Sequence, residues 1–344
     1  MDYFRLKARG TSLRREIVGG FTTFLTMLYI LPVNALIMSQ AGMPQAALLT
    51  ATGLMTALAC LISGLWANVP IAMSVGMGLN AFFTFSMVQG MGLPWQTALG
   101  IVFLSGVLFF ILSITPFRRW ILESIPADLR CAVSAGIGAF IAFIGLKELG
   151  FIVASPATLV HLGDLSSPNA LLGLLGLLLA AIFWLRGVKA AFLLSVLATA
   201  VVGWGLGIAP MPQAIVSLPA SPMPILMQLD VVSALQLSLV PVIVIYMVTH
   251  LMDSLGTISA IGMRAGLFGR EKADHRSLQK AIEADAFASV LSGPMGVSTT
   301  TSFIESASGV EAGGRTGLTA VVTGVCFMVA LLFFPIFAAI PAAA

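Results

Sequence analysis

Two carboxylates stand deep inside apolar runs: Asp253 in THLMDSLGTISA and Glu305 in VSTTTSFIESASG, residues 297–309. An ionisable side chain at bilayer depth is costly, so it usually lines a cavity or faces a partner. The chemistry open to such a pair is hydrogen-bond acceptance and reversible proton uptake. Five hydroxyl residues, Ser298 to Ser302, precede Glu305. A helix broken here would leave backbone groups unpaired, and irregular backbone at this depth must be buried in protein or face a polar cavity. Thr299, Thr300, Thr301 and Ser302 are expected mostly to satisfy those freed groups. Gly293, Gly296 and Ser298 would allow close backbone approach. Glu305 falls about one turn after the break, where it could accept from a substrate and exchange a proton.

A second stretch, NVPIAMSVGMGLNAFF at 68–83, offers Asn80. Its amide both donates and accepts, which suits a ligand edge with both functions, such as a nucleobase. Phe82, Phe83 and Phe303 could stack on a planar ligand, although aromatics in spans usually serve packing. His250 precedes Asp253 by three residues and shares its helix face, from which it could tune the aspartate or relay protons. Asp285, in IEADAFAS, is expected nearer a membrane edge in a structural or capping role. Asp253 and Glu305 could in principle form a hydrolytic acid–base pair, but that would leave the two interrupted stretches unexplained, so an enzyme is not expected.

The elements that must hold these groups are membrane spans. The chain of 344 residues is 58% hydrophobic and only 9% charged, against roughly 25% charged for a soluble domain, and its mean hydropathy is +1.03. The net charge of +3 gives no sign of nucleic-acid binding. Cys60, Cys131 and Cys326 lack metal-ligand spacing and read as small core residues. Breaks at charges, prolines and glycines leave about eleven segments: 17–38, 45–66, 70–90, 95–115, 129–150, 168–185, 189–209, 232–262, 279–293, 296–310 and 315–340. The first follows a basic N-terminus and reads as a span, not a removed signal peptide. With that terminus in the cytoplasm, 16 of the 17 Lys and Arg residues fall on the cytoplasmic side, Lys147 being the exception, as the positive-inside bias requires.

The two interrupted stretches occupy the third place in each of two four-span blocks. Paired broken segments in matching halves point to a transporter site. Seven spans per repeat would invert the second copy, which on this count stops about three spans short.

Six strings carry a resemblance: GGFTTFLTMLYI, ANVPIAMSVGMGLNAFF, SAGIGAFIAFIGLKELG, SPATLVHLGDLSSP, DSLGT and STTTSFIESASGVEAGGRTGLTAV. They span nearly the whole chain, which resembles AzgA-like purine permeases of the nucleobase–cation symporter-2 family. The resemblance implies an all-α polytopic membrane protein of inverted seven-span repeats with half-helix segments, moving as an elevator. Core halves would lie at 1–115 and 232–341 and one gate half at 127–209, with the second gate half absent. It implies uptake of adenine, guanine or hypoxanthine with protons across the cell membrane. Motif matching gives Asn80, Asp253 and Glu305 as substrate contacts, with Gly78 allowing backbone approach and Phe303 and Thr301 beside them. Glu305, Asp253 and His250 would couple protons. The implied partners are a purine nucleobase, protons and the lipid bilayer, with a homodimer or a complementing chain to complete the gate. No cofactor or metal is implied. His250 stands where some members carry a second acid, and Leu255 where a hydroxyl residue is common. The alternatives are a truncated chain that keeps a nucleobase site without transporting, and an anion transporter of the same general fold. The two acids favour a neutral, hydrogen-bonding ligand.

Overall fold

The computed structural model describes residues 3–115, 127–156, 158–188, 190–212, 214–267 and 275–343. Among them, six helical stretches are long and apolar enough to cross a membrane: Leu13–Ser39, Gln45–Ala67, Trp95–Ile114, Pro168–Leu185, Leu237–Arg264 and Gly317–Ala338.

The first stretch is not one helix. It divides into α1 (Leu13–Met27) and α2 (Ile30–Ser39). Pro32 explains the division: it has no N–H to give the Leu28 carbonyl and its ring would clash with it. Tyr29 sits at this break. Then come α3 (Gln45–Ile62), β1 (Met73–Val75) and α4 (Met77–Ala81), whose helical path widens and continues to Gly90, followed by α5 (Trp95–Ile114). Next are α6 (Ala127–Glu148), a hairpin of β2 (Ile152–Ser155) and β3 (Leu159–Leu162), α7 (Pro168–Leu185) and α8 (Ala191–Gly205). The rest comprises short α9 (Val231–Ala234), α10 (Val240–Arg264), α11 (His275–Ser292), β4 (Thr300–Ser302), α12 (Ser306–Glu311), α13 (Gly317–Ala330) and α14 (Phe334–Ala338).

Both third-place segments are interrupted as the sequence indicates. Each enters as a short strand, and the strands meet: β1 pairs antiparallel with β4, with Met73 opposite Ser302, Ser74 opposite Thr301 and Val75 opposite Thr300. This pairing, and not the hydroxyl side chains, satisfies most of the freed backbone. With the β2–β3 hairpin it makes two short ribbons in a fold expected to be all helix.

The two halves interlock tightly. α1 packs on α12 and α13, α13 on α3, and α11 and α10 on α5. Small residues make these crossings close, as is common between membrane helices: a Cβ on Gly20 would stand 2.6 Å from the Thr319 carbonyl oxygen, and one on Gly64 would stand 2.5 Å from that of Gly317. Gly293 and Gly296 behave as expected, each pressed against another segment's backbone, with Gly296 at φ +74°. α7 and α8 pack mainly on one another, beside α6. Leu171, Leu174 and Leu178 of α7 are exposed, as suits the outer surface of a membrane-embedded helix, while Leu177 lines a large cavity.

Glu16 fastens the halves at the end where the basic residues gather. It is fully buried and accepts from the backbone N–H groups of Arg315, Thr316 and Thr319 at 2.8, 3.2 and 3.2 Å. It also accepts from the hydroxyls of Thr316 and Thr319, at 2.9 and 2.6 Å. The carboxylate thus fills the N-terminus of α13, where unpaired amides and the helix dipole favour a negative charge. Asn68, held at φ +51°, adds a bond from the Gly317 N–H to its Oδ1 at 2.8 Å. The GGRTGLT string is therefore the socket for a carboxylate 300 residues away.

Candidate functional site

The break after α1 turns Tyr29 toward the second half of the chain, and its hydroxyl donates to Glu305 Oε1 at 2.6 Å. Glu305 itself stands between β4 and α12. Both residues line a cavity of about 840 Å³. One face of α2 forms a wall (Val33, Leu36 and Ile37, with Gln40 just past its end), and α6, α7 and α8 form the facing side through residues such as Ile144, Gly176 and Phe192. The walls are largely apolar with few polar groups, the character of a small-molecule site. The cavity lies between the interlocked halves and the α6–α8 layer.

Asp253 projects from α10 with its side chain exposed. Thr301 of β4 donates to its Oδ2 at 3.1 Å. From there a buried network runs inward. The Thr301 hydroxyl is 3.1 Å from that of Ser254, which donates to Asp285 Oδ2 at 2.5 Å. Ser302 donates to Asp285 Oδ1 at 2.8 Å. His250 Nε2 lies 3.0 Å from Asp285 Oδ2, an ion-pair distance without hydrogen-bond alignment. Its ring meets Phe109 edge-on at 4.7 Å. His250 therefore faces Asp285, and the chain of polar contacts from it to Asp253 runs through Asp285 and the hydroxyls of Ser254 and Thr301. Asp285 is fully buried in mid-helix, where it bonds Ser254 and Ser302 and caps no helix end.

The remaining hydroxyls bond mostly to side chains of α11, contrary to the expectation that they serve backbone. Thr299 pairs with Ser289 at 2.5 Å and Thr300 with Ser292 at 2.8 Å. Strand alternation explains the division, since successive side chains leave opposite faces: Thr301 turns to α10 while Thr300 and Ser302 turn to α11.

Asn80 is fully buried and donates to Asn34 Oδ1 at 2.8 Å; Asn34 donates to Thr52 Oγ1 at 2.7 Å. Asn80 thus ties α4 to α2 and α3, leaving its own Oδ1 without a bond. Gly78 and Phe82 line a second cavity of about 180 Å³, with Tyr246 and Thr249. Phe83 and Phe303 pack in the apolar core, 0% and 5% exposed. Cys60 is buried and Cys326 half-buried, as core residues; the Cys131 side chain lies outside the described residues, as do Arg118, Arg119, Lys189, Arg270 and Lys272 of the charge pattern.

The structure therefore brings Glu305 to a cavity wall, joins Asp253 to Thr301, and separates Phe303 from the cavity. It adds Tyr29, Asn34 and the buried role of Asp285. A tyrosine hydroxyl in an apolar span needs a partner, and that signal could have pointed to Tyr29.

Residues 14–344 match the Permease family, Xan_ur_permease. The chain is 42% identical to the adenine permease AdeP of Escherichia coli K12, over 98% of this chain and 76% of that protein. It is 38% identical to the guanine/hypoxanthine permease PbuO of Bacillus subtilis 168, over 98% and 79%. Among solved structures, the transmembrane domain of the cyanobacterial bicarbonate transporter BicA superposes with a TM-score of 0.71 at 18% identity, covering 96% of this chain and 86% of that one. The murine anion transporter Slc26a9 in its inward-facing state gives 0.64 at 10% identity, over 96% and 58%. At such identity these two show the fold alone, and it is the transporter fold that the elevator expectation requires. Sequence match and architecture agree over nearly the whole length: the chain belongs to the Xan_ur_permease family of membrane permeases.

Proposed function

We propose that the chain carries purine nucleobases across the cell membrane together with protons, binding the base in the large cavity beside Glu305. The observation that carries this is the pairing of Glu305 with Tyr29 on the wall of an otherwise largely apolar cavity of about 840 Å³. Apolar walls suit the faces of a purine ring, and a carboxylate fixed by a phenol suits its N–H edge. Adenine and guanine/hypoxanthine permeases among the relatives support the substrate class.

Asp253 and Thr301 would form the neighbouring polar edge, with the free Oδ1 of Asn80 and the backbone around Gly78 behind α4. Phe303 would act by packing, since it stands off the cavity. Protonation of Glu305 or Asp253 would neutralise the loaded site and lower the cost of carrying it through the bilayer. His250 would communicate with Asp253 through Ser254 and Thr301. The interlocked halves at 1–115 and 232–341 would move against the 127–209 layer, with the N-terminus cytoplasmic.

The test is uptake of labelled adenine, guanine and hypoxanthine by cells deficient in purine transport, at two pH values, with membrane insertion verified. Saturable uptake, faster at acid pH and abolished in Glu305→Gln, is the expected result. A well-inserted chain that neither binds nor takes up any of the three would overturn the proposal.

A further inference from the structure

The large cavity has a second acidic residue. α2 runs from the Tyr29 end to Ser39, ten residues, or about 15 Å at helical rise. Ser39 and Gln40 line the cavity at the far end of α2, and Glu148 lines it from α6. This end lies away from the α1 terminus, where the basic residues gather. Glu148 is exposed on the last turn of α6. The adjacent Lys147 makes no ion pair with it: successive helical side chains diverge by about 100°, and the Lys147 ammonium lies 5.3 Å from the centroid of the Phe85 ring on the α4 extension. Among the described residues, Glu148 has no ion pair.

From this geometry we infer that Glu148 is a specificity-determining residue at the mouth of the cavity, excluding purines that are already anionic and admitting neutral ones. The inference rests on the purine site proposed above. Any ligand arriving through this mouth passes an unpaired carboxylate before it reaches the one at Glu305, on a path whose walls offer little else that is polar. A unit anion about 6 Å from Glu148, at an effective dielectric constant of about 40, would be disfavoured roughly tenfold. A neutral base meets no such penalty, and its N–H groups can be accepted by the carboxylate in passing. Glu148 belongs to the α6–α8 layer, not to the half-helix segments. Discrimination at the mouth would thus be separate from recognition at depth.

The experiment is competition of urate, an anion at neutral pH, against labelled adenine in cells expressing the full chain, with Glu148→Gln alongside. The readout is the half-inhibitory concentration of urate divided by the KM for adenine. This ratio cancels differences in expression or partial misfolding. It should fall about five- to tenfold in Glu148→Gln. The fall should shrink when ionic strength is raised, because exposed charges are screened beyond a Debye length. Glu148→Asp, which keeps the charge, should retain most of the discrimination. Adenine uptake with a ratio unchanged in Glu148→Gln would overturn this inference and leave the purine site standing. No purine binding or uptake by the parent chain would overturn both.

Discussion

The Tyr29–Glu305 bond offers a sharp test of how the cavity works. At 2.6 Å, an O–H···O contact lies in the short range expected when the acceptor is ionised. Hydrogen bonds to charged groups contribute about 1.5–3 kcal/mol net. Glu305 is only partly buried, so cavity water can replace part of a lost donor, and the working figure falls to about 1–2 kcal/mol. If the base depends on the carboxylate being held in this position, Tyr29→Phe should weaken purine binding by up to about 5- to 30-fold. The assay is equilibrium binding of labelled adenine to the purified chain in lipid nanodiscs, run as a double-mutant cycle with Glu305→Gln. If Tyr29 acts by orienting the carboxylate, Tyr29→Phe should cost less than about 0.5 kcal/mol once Glu305 is an amide, leaving most of its effect as coupling. Equal losses in both backgrounds would refute this. They would mean that the phenol touches the base itself or only fills space.

Two further predictions follow from the network and the socket. Thr301→Val removes the hydroxyl between Asp253 and Ser254 while keeping shape; the loss of a net bond of about 1 kcal/mol should raise the KM for purine about fivefold, with Thr301→Ser restoring most of it in the same uptake assay. Glu16→Ala strips the acceptor from five donors at the start of α13. Orphaned buried donors cost about 1–3 kcal/mol each before water relieves them, so the variant should lose at least about 3 kcal/mol. Glu16→Gln should lose less, read as successive drops in melting temperature in detergent.

The sequence made some of this plain because the signal was local. An acid in an apolar run is anomalous wherever it falls, so Asp253 and Glu305 stood out. Proline and small residues at matching places marked both broken segments. The strand pairing between them was not legible, since Met73–Val75 and Thr300–Ser302 are too short to show a period of their own. Glu16 was hidden for another reason. Beside Arg14 and Arg15 it looks like ordinary surface charge, and every donor it binds lies about 300 residues away. Asp285 drew its partners from Ser254, Ser302 and His250, which only the packing of α10, β4 and α11 brings together. Tyr29 was not picked out, although Pro32 acting on the Leu28 carbonyl sets where its phenol can point.

The same fold is shared with proteins described as transporters of bicarbonate and other anions, so the backbone cannot by itself set the sign of the ligand. The side chains can. An anion seated about 4 Å from an ionised Glu305 would be repelled by about 4 kcal/mol at an effective dielectric constant of 20, a penalty near a thousandfold in affinity. Removing that repulsion by protonating the carboxylate would leave an O–H donor to greet an anion, but only while the proton stays. A neutral ring bearing N–H groups has neither difficulty: it gains an acceptor when Glu305 is charged and loses no Coulomb energy when it is not. In the proposed site, the half-helix segments would hold the ligand, and Glu305, built onto one of them, would favour a ligand that is uncharged.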